Sequence, residues 1–322
     1  VLLRSRWAAL AMLVATICFM PTLMWQYHRD WPTLQMLANV QRLHKDAAVS
    51  PLEFLARQVM MLGFAAVLIW VPGLWFLLRG ARDVRWRAFG FAYLALYALM
   101  MILGAKDYYL APIYPLLFGA GGAFWSGYFN QKPWAWMKYA IPSVVILGGL
   151  LSAPLALPIL SPADLFRYER FIGLSNPRSQ TGQEGPLPEH FGDEFGWREM
   201  TADVARVYDV LPPDARRHAA ILTKNYGEAG AIDFFGPPLG LPHAISGHQN
   251  YWLWGPRGYD GEILIALQFS RDELRKMGCA SIEDGPLVDN PYSMAEEHFR
   301  IEVCRGLDPP LSDQWPGLKR WY

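Results

Sequence analysis

Five stretches of this chain are nearly unbroken apolar runs, at 7–25, 54–78, 89–103, 110–125 and 140–159, with polar and charged residues gathered between them. A helix needs roughly 17–25 such residues to cross a bilayer. The pattern therefore predicts an α-helical membrane bundle of about five spans over 1–160. The third and fourth runs are short and joined by a charged turn, so a partly re-entrant pair fits them as well. Trp25, Tyr27, Trp31, Trp125, Tyr128, Trp134 and Trp136 cluster at the run ends, where an aromatic belt belongs. Between the first two runs, Leu34, Leu37, Val40 and Leu43 alternate with polar residues at helical spacing, and Pro32 suits a first turn. That predicts an amphipathic helix over about 31–45, lying in the membrane interface or simply connecting spans.

Past Ser161 the pattern changes to one of short mixed segments. Trp197, Met200, Val204, Val207 and Tyr208 mark a helix over 197–211, stopped by Pro212-Pro213. Strands are expected at 218–223, 243–246, 263–269 and 299–303, and helices at 228–235 and 271–276. Alternation of this kind predicts an α/β domain over 161–322 with a mostly parallel sheet. Tyr226-Gly227-Glu228-Ala229-Gly230 follows a strand but has neither the Walker lysine nor the three-glycine fingerprint of a nucleotide loop.

Composition sharpens this division. The 322 residues are 52% hydrophobic and include 14 Trp, while the formal net charge of zero and the lack of a basic tract argue against a nucleic-acid partner. Arg4 and Arg6, then Arg79, Arg82, Arg85 and Arg87, then Lys132 and Lys138 all fall on one side of a chain that crosses five times. That side is cytoplasmic by the positive-inside rule, even with Arg29, Arg42 and Lys45 on the other. The turn at 105–115 and the domain after Ser161 are then extracytoplasmic. The first run is too long, and its end too bulky, for a cleaved signal peptide. An oxidising compartment permits a Cys279–Cys304 disulfide, which the sequence leaves open, and Cys18 reads as a small apolar residue.

The most distinctive segment runs from Lys106 through Asp107, Tyr108, Tyr109, Pro112 and Tyr114 to Pro115, between two apolar runs. Charges at a membrane boundary are costly unless used, and prolines there favour irregular backbone. The cluster is either a functional site or an interfacial belt in which Lys106 snorkels and the tyrosines sit at headgroup level.

Four blocks carry a resemblance: Trp25-Gln26 with Trp31-Pro32-Thr33-Leu34; Lys106-Asp107-Tyr108-Tyr109 with Pro112 and Pro115; Phe195-Gly196-Trp197; and Asn225-Tyr226-Gly227-Glu228-Ala229-Gly230-Ala231 through Ser246-Gly247-His248 to Tyr251-Trp252-Leu253-Trp254-Gly255. Together they resemble the polytopic glycosyltransferases of family 39, in the GT-C superfamily, which include the protein O-mannosyltransferases and the bacterial lipid A aminoarabinose transferase. The resemblance implies a bacterial inner-membrane enzyme that takes a sugar from a polyprenyl-phosphate donor to a lipid, protein or glycan acceptor on the extracytoplasmic side. It places Lys106 at the departing phosphate, whose developing charge a cation stabilises, with Tyr108, Tyr109 and Tyr114 as further donor-phosphate contacts. Asp107 is given an orienting or metal-binding role, which leaves a divalent metal open. Glu228, His248 and Trp252 are candidates on the acceptor side. A buried histidine in a packed α/β domain is more often structural than catalytic, core packing explains Trp252 equally well, and a helix first turn explains Glu228 equally.

The family's general base is an acidic residue in the first extracytoplasmic loop, and Asp30, Asp46 and Glu53 do not match that motif. The expectation is an N-terminally truncated chain that retains the donor lysine but lacks the base. The same pattern also suits a membrane-anchored accessory subunit that binds a glycan or a protein. A transporter is disfavoured because no repeat pair is visible.

Overall fold

The computed structural model describes residues 6–43, 50–80, 84–129, 131–173 and 186–322. Arg4, Lys45, Asp46 and Arg82 lie outside them. The chain forms two compact units. One contains α1 (Arg6–His28) and α2 (Pro32–Arg42) together with the α/β domain described below. The other holds α3 (Pro51–Leu62), α4 (Val67–Trp75), α5 (Arg87–Ile102), α6 (Tyr114–Phe129), α7 (Met137–Ala156) and α8 (Pro162–Phe171). The division crosses the composition step near 158–162, since α1 and α2 group with the later domain and α8 with the helices.

Two helices are long and apolar enough to cross a membrane, Ala9–His28 within α1 and Met137–Ala156, and a third counts if a bent pair is one span. These carry the membrane association. Among the described residues two or three candidate spans stand where the pattern predicts about five, for two reasons. The run at 54–78 is broken at Gly63, whose φ of +82° is a glycine conformation, and the chain bends there by 102°. The runs at 89–103 and 110–125 become α5 and α6, each 16 residues. At 1.5 Å per residue these reach about 24 Å, short of a hydrocarbon core of about 30 Å.

The helical unit is closed by a backbone contact between α4 and α6. A Cβ on Gly73 would lie 2.0 Å from the Leu117 carbonyl oxygen, and one on Gly121 would lie 2.1 Å from that of Ile69. Small residues at such a crossing let two apolar helices approach until their backbones touch. Around the contact pack Phe54, Trp70, Leu77, Tyr93, Leu110, Tyr114 and Leu117, all buried. α7 packs on the short 3₁₀ turn Phe64–Ala66, where Gly148 faces Ala65.

In the other unit the helices are α9 (Glu189–Gly192), α10 (Trp197–Val210), α11 (Pro213–His218), α12 (Tyr226–Phe235), α13 (Asn250–Leu253), α14 (Arg271–Met277) and α15 (Leu311–Gln314). The strands are β1 (Ala219–Thr223), β2 (Ile245–Ser246), β3 (Ile263–Leu267), β4 (Cys279–Val288) and β5 (Phe299–Leu307), in the order β2-β1-β3-β5-β4. β1 runs parallel to β2 and β3, with Ala219 opposite Ile263 and Thr223 opposite Leu267. β5 runs antiparallel to both β3 and β4. The sheet is therefore mixed and not mostly parallel. The sequence pattern misses β4 because Asp284-Gly285-Pro286 resembles a turn. As an edge strand β4 tolerates charges and a proline at an irregularity in the ladder, between Asp284 and Leu287.

Alternate residues of the fully buried β1 and β3 supply two cores. Ala219, Ile221, Ile263 and Ile265 pack with α10 and α12, while Ala220, Leu222, Leu264 and Ala266 pack with Leu274, Leu311 and Trp315 on the other face. A Cys279–Cys304 disulfide links β4 to β5.

Two variants test these supports. Gly73→Ala should lower the thermal midpoint of the detergent-solubilised chain, since overpacking costs roughly 1–3 kcal/mol. Gly119→Ala and Gly122→Ala, where nothing lies within 4 Å of the added carbon, should be neutral or better. Equal destabilisation at all three positions would refute the close α4–α6 contact. Replacing Cys279 and Cys304 together by Ser should cost the α/β domain about 2–4 kcal/mol in denaturant unfolding.

Candidate functional site

The lysine turn is pinned from beneath. The 3₁₀ segment Asp107–Ile113 follows extended Lys106, and the fully buried Gln58 of α3 reaches its underside. Gln58 donates from Nε2 to the Asp107 carbonyl at 2.9 Å and accepts at Oε1 from the Tyr114 hydroxyl at 2.9 Å. Tyr93 approaches the same hydroxyl at 3.3 Å. Tyr114, expected at the donor phosphate, is 1% exposed and belongs to this buried clamp. Tyr108 and Tyr109, 45% and 55% exposed, face outward. The Lys106 ammonium lies 5.7 Å from the Tyr108 ring centre, and the two tyrosine rings meet edge to face. Asp107 is buried and turns its carboxylate back on the chain, accepting the Tyr108 N–H at 2.9 Å.

The structure thus brings Lys106, Tyr108 and Tyr109 together and sets Tyr114 beneath them. The sequence reading missed Gln58. Its signal was a lone amide inside an apolar run, which burial makes costly unless both ends of the amide are bonded.

In the α/β unit, the other predicted residues gather beyond the carboxyl ends of β1, β2 and β3. Asn225 and Glu228 form a capping box at the start of α12. Asn225 accepts the Gly227 and Glu228 N–H groups, and Glu228 accepts those of Lys224 and Asn225. His248 is buried between the rings of Tyr226 and Tyr322. Its Nδ1 accepts the Tyr226 N–H at 3.4 Å, and its Nε2 lies 3.1 Å from the Tyr322 carbonyl. Both ring nitrogens are thus engaged by backbone groups. Trp252 and Trp315 exchange indole-to-carbonyl hydrogen bonds at 3.0 Å, so Trp252 braces the core. Trp254 is exposed, against Tyr251 and under Arg257.

The two remaining motif blocks are also structural. Gln26 bonds both the backbone N–H and the hydroxyl of Thr33. It thereby closes the turn in which Asp30 and Trp31 have positive φ. Gly196 is left-handed at the start of α10, and Trp197 packs where a Cβ on Gly227 would sit. Glu53 is a first-turn residue paired with Arg57 at 2.8 Å.

Two buried acids, Glu228 at the α12 start and Glu297, have raised carboxyl pKa values. Burial, then the neighbouring Glu297, holds the Glu228 carboxyl well above its ordinary range, against the pull of its two backbone donors. Burial, then Glu296 and Asp193, pushes Glu297 up to about 7. His218, Asp260 and Glu262 group at the opposite end of the sheet with ligand atoms within 4.8 Å. All three are exposed, His218 already faces Glu262 at 3.3 Å and Asp260 accepts the Glu262 N–H, so they read as a surface polar cluster.

No protein-family model, curated protein or solved structure matches this chain.

Glu297 gives a pH prediction. Its pKa is higher folded than unfolded, so the folded chain keeps a proton that the unfolded chain loses. Stability should therefore fall as pH rises from about 4.5 to about 7. Glu297→Gln should flatten that slope and add up to about 3 kcal/mol at pH 8, read from denaturant midpoints at pH 5 and pH 8. An unchanged slope in the variant would assign the dependence elsewhere.

Proposed function

We propose that this chain is part of a membrane glycosyltransferase and that the lysine turn receives the phosphate of a polyprenyl-linked sugar. One observation carries the proposal: a lysine and two exposed tyrosines stand on a turn whose backbone is clamped from below, at the junction of two apolar helices. The Gln58 clamp fixes the backbone at Asp107, next to Lys106. In this position the ammonium offsets negative charge growing on the phosphate as the glycosidic bond to it breaks. Tyr108 and Tyr109 supply hydroxyl donors and rings suited to the boundary between lipid and water.

The family resemblance of the four sequence blocks supports the same chemistry. For the α/β domain, the Cys279–Cys304 disulfide supports an extracytoplasmic place. The inner membrane of a bacterium is the setting this implies. Selection of the acceptor would fall to the α/β domain. There Glu228, His248 and Trp252 shape the loops from behind, and exposed Trp254 offers a ring for stacking on a sugar face.

The test is binding rather than turnover. Wild-type protein in nanodiscs should retain radiolabelled polyprenyl phosphate. Lys106→Ala should weaken retention roughly 10- to 100-fold, the worth of a charge-assisted hydrogen bond, with thermal stability unchanged. Gln58→Leu should lower both retention and stability, because it releases the clamp. Retention that survives Lys106→Ala undiminished would reject the lysine turn as the donor site.

A further inference from the structure

The connection β1–α12–β2 leaves β1 on one side, and the chain then returns past β1 to form β3 on the other. The crevice between the carboxyl ends of β1 and β3 is thus the switch point of the parallel part of the sheet, where open α/β folds hold ligands. Lys224 stands directly after β1, and Phe269 stands two residues after β3. A third residue arrives from the far end of the sequence. Arg320 bridges to His248 in parallel register, donating its N–H to the Gly247 carbonyl and accepting the Gln249 N–H, each at 2.8 Å.

Lys224 and Arg320 share one aromatic ring. The Lys224 ammonium lies 5.8 Å and the Arg320 guanidinium 5.6 Å from the centre of buried Phe269. Lys224 is neutralised by Glu273, at 2.8 and 3.0 Å. Arg320 meets no carboxylate among the described residues. Its Nη1 is buried without a hydrogen-bond partner, and so is Nε1 of the adjacent Trp321. Only four buried side-chain nitrogen or oxygen atoms among the described residues lack a hydrogen-bond partner, and two of them are these neighbouring donors. Buried donors without acceptors are costly, and a guanidinium in that condition calls for an anion with oxygens to accept its N–H groups.

We infer that the crevice between β1 and β3 is an anion site in which Arg320 and Lys224, braced on Phe269, bind a phosphate group. The inference does not rest on the lysine turn, which lies in the other unit. Glu228, on the same edge, is engaged by the Lys224 and Asn225 N–H groups. Glu273 holds Lys224 at the crevice and leaves Arg320 as the uncompensated charge.

The location bears on the source of the phosphate. The Trp321 carbonyl accepts from Asn39 of α2 at 2.7 Å, and α2 follows the membrane-length helix α1 after only Arg29, Asp30 and Trp31. The segment carrying Arg320 is therefore tied to an amphipathic helix next to a span, within reach of lipid headgroups. A soluble phosphate ester would meet the same two cations.

The test follows thermal unfolding of the full chain in detergent micelles by tryptophan fluorescence. One series adds inorganic phosphate against chloride at matched ionic strength. The other adds phosphatidic acid to the micelles against phosphatidylcholine. A rise with inorganic phosphate points to a soluble ligand, and a rise with phosphatidic acid alone points to a lipid. In either case Arg320→Met, which keeps the stem over Phe269, should raise the concentration for half the shift about tenfold or more, the loss expected for one charge-assisted hydrogen bond. Arg320→Lys should retain part of the effect. If Arg320→Met does not fold, Lys224→Met carries the comparison. A wild-type chain that neither additive stabilises, or a shift equal in wild type and variant, overturns the inference.

Discussion

A polar atom taken out of water costs roughly 1–3 kcal/mol unless another partner replaces the water it loses, and both units of this chain are organised around meeting that demand. In the helical unit the demand falls on Gln58, which is fully buried. It is met by the Asp107 carbonyl and the Tyr114 hydroxyl, and those two bonds tie α3 to the turn between α5 and α6. The turn keeps its irregular backbone because the clamp beneath it is satisfied. The close α4–α6 crossing at Gly73 and Gly121 helps hold α6, which carries Tyr114, in place.

The α/β unit meets the same demand at the carboxyl ends of its parallel strands. Ser246 donates to the Thr223 carbonyl, Glu228 and Asn225 satisfy the first N–H groups of α12, and His248 spends both ring nitrogens on backbone groups. Residues that look like catalytic candidates in one dimension are here the partners that let the strand ends be buried. Where the demand is left unmet, at Arg320 and Trp321, the atoms are donors beside a crevice of the kind that holds ligands. The inferred anion site rests on these unmet groups and not on the motif residues.

Much of the secondary structure was legible in order and type. The helix from Trp197 ends at Val210, and the strands expected at 218–223 and 263–269 form over Ala219–Thr223 and Ile263–Leu267. Those segments carry strong periodicity or an unbroken apolar run, so local pattern suffices. β4 was illegible because an edge strand buries little and tolerates Asp284-Gly285-Pro286. Missing it concealed that β5 inserts antiparallel between β3 and β4. The break in the run at 54–78 was hidden for a similar reason, since one glycine in an apolar stretch bends a helix without changing its composition.

The candidate sites divide along the same line. The sequence by itself determined that the chain has membrane-length apolar helices, an α/β domain and a lysine-tyrosine turn between apolar runs, because each of these is a matter of residue type and short-range period. Only the tertiary structure decided that Tyr114 points inward while Tyr108 and Tyr109 point outward, and that Glu228 caps a helix. It alone brought Arg320 and Lys224, 96 positions apart in the sequence, to the same Phe269 ring. The physical reason is that exposure and partnership arise from packing between distant segments, and local spacing carries no record of which buried atoms will find acceptors.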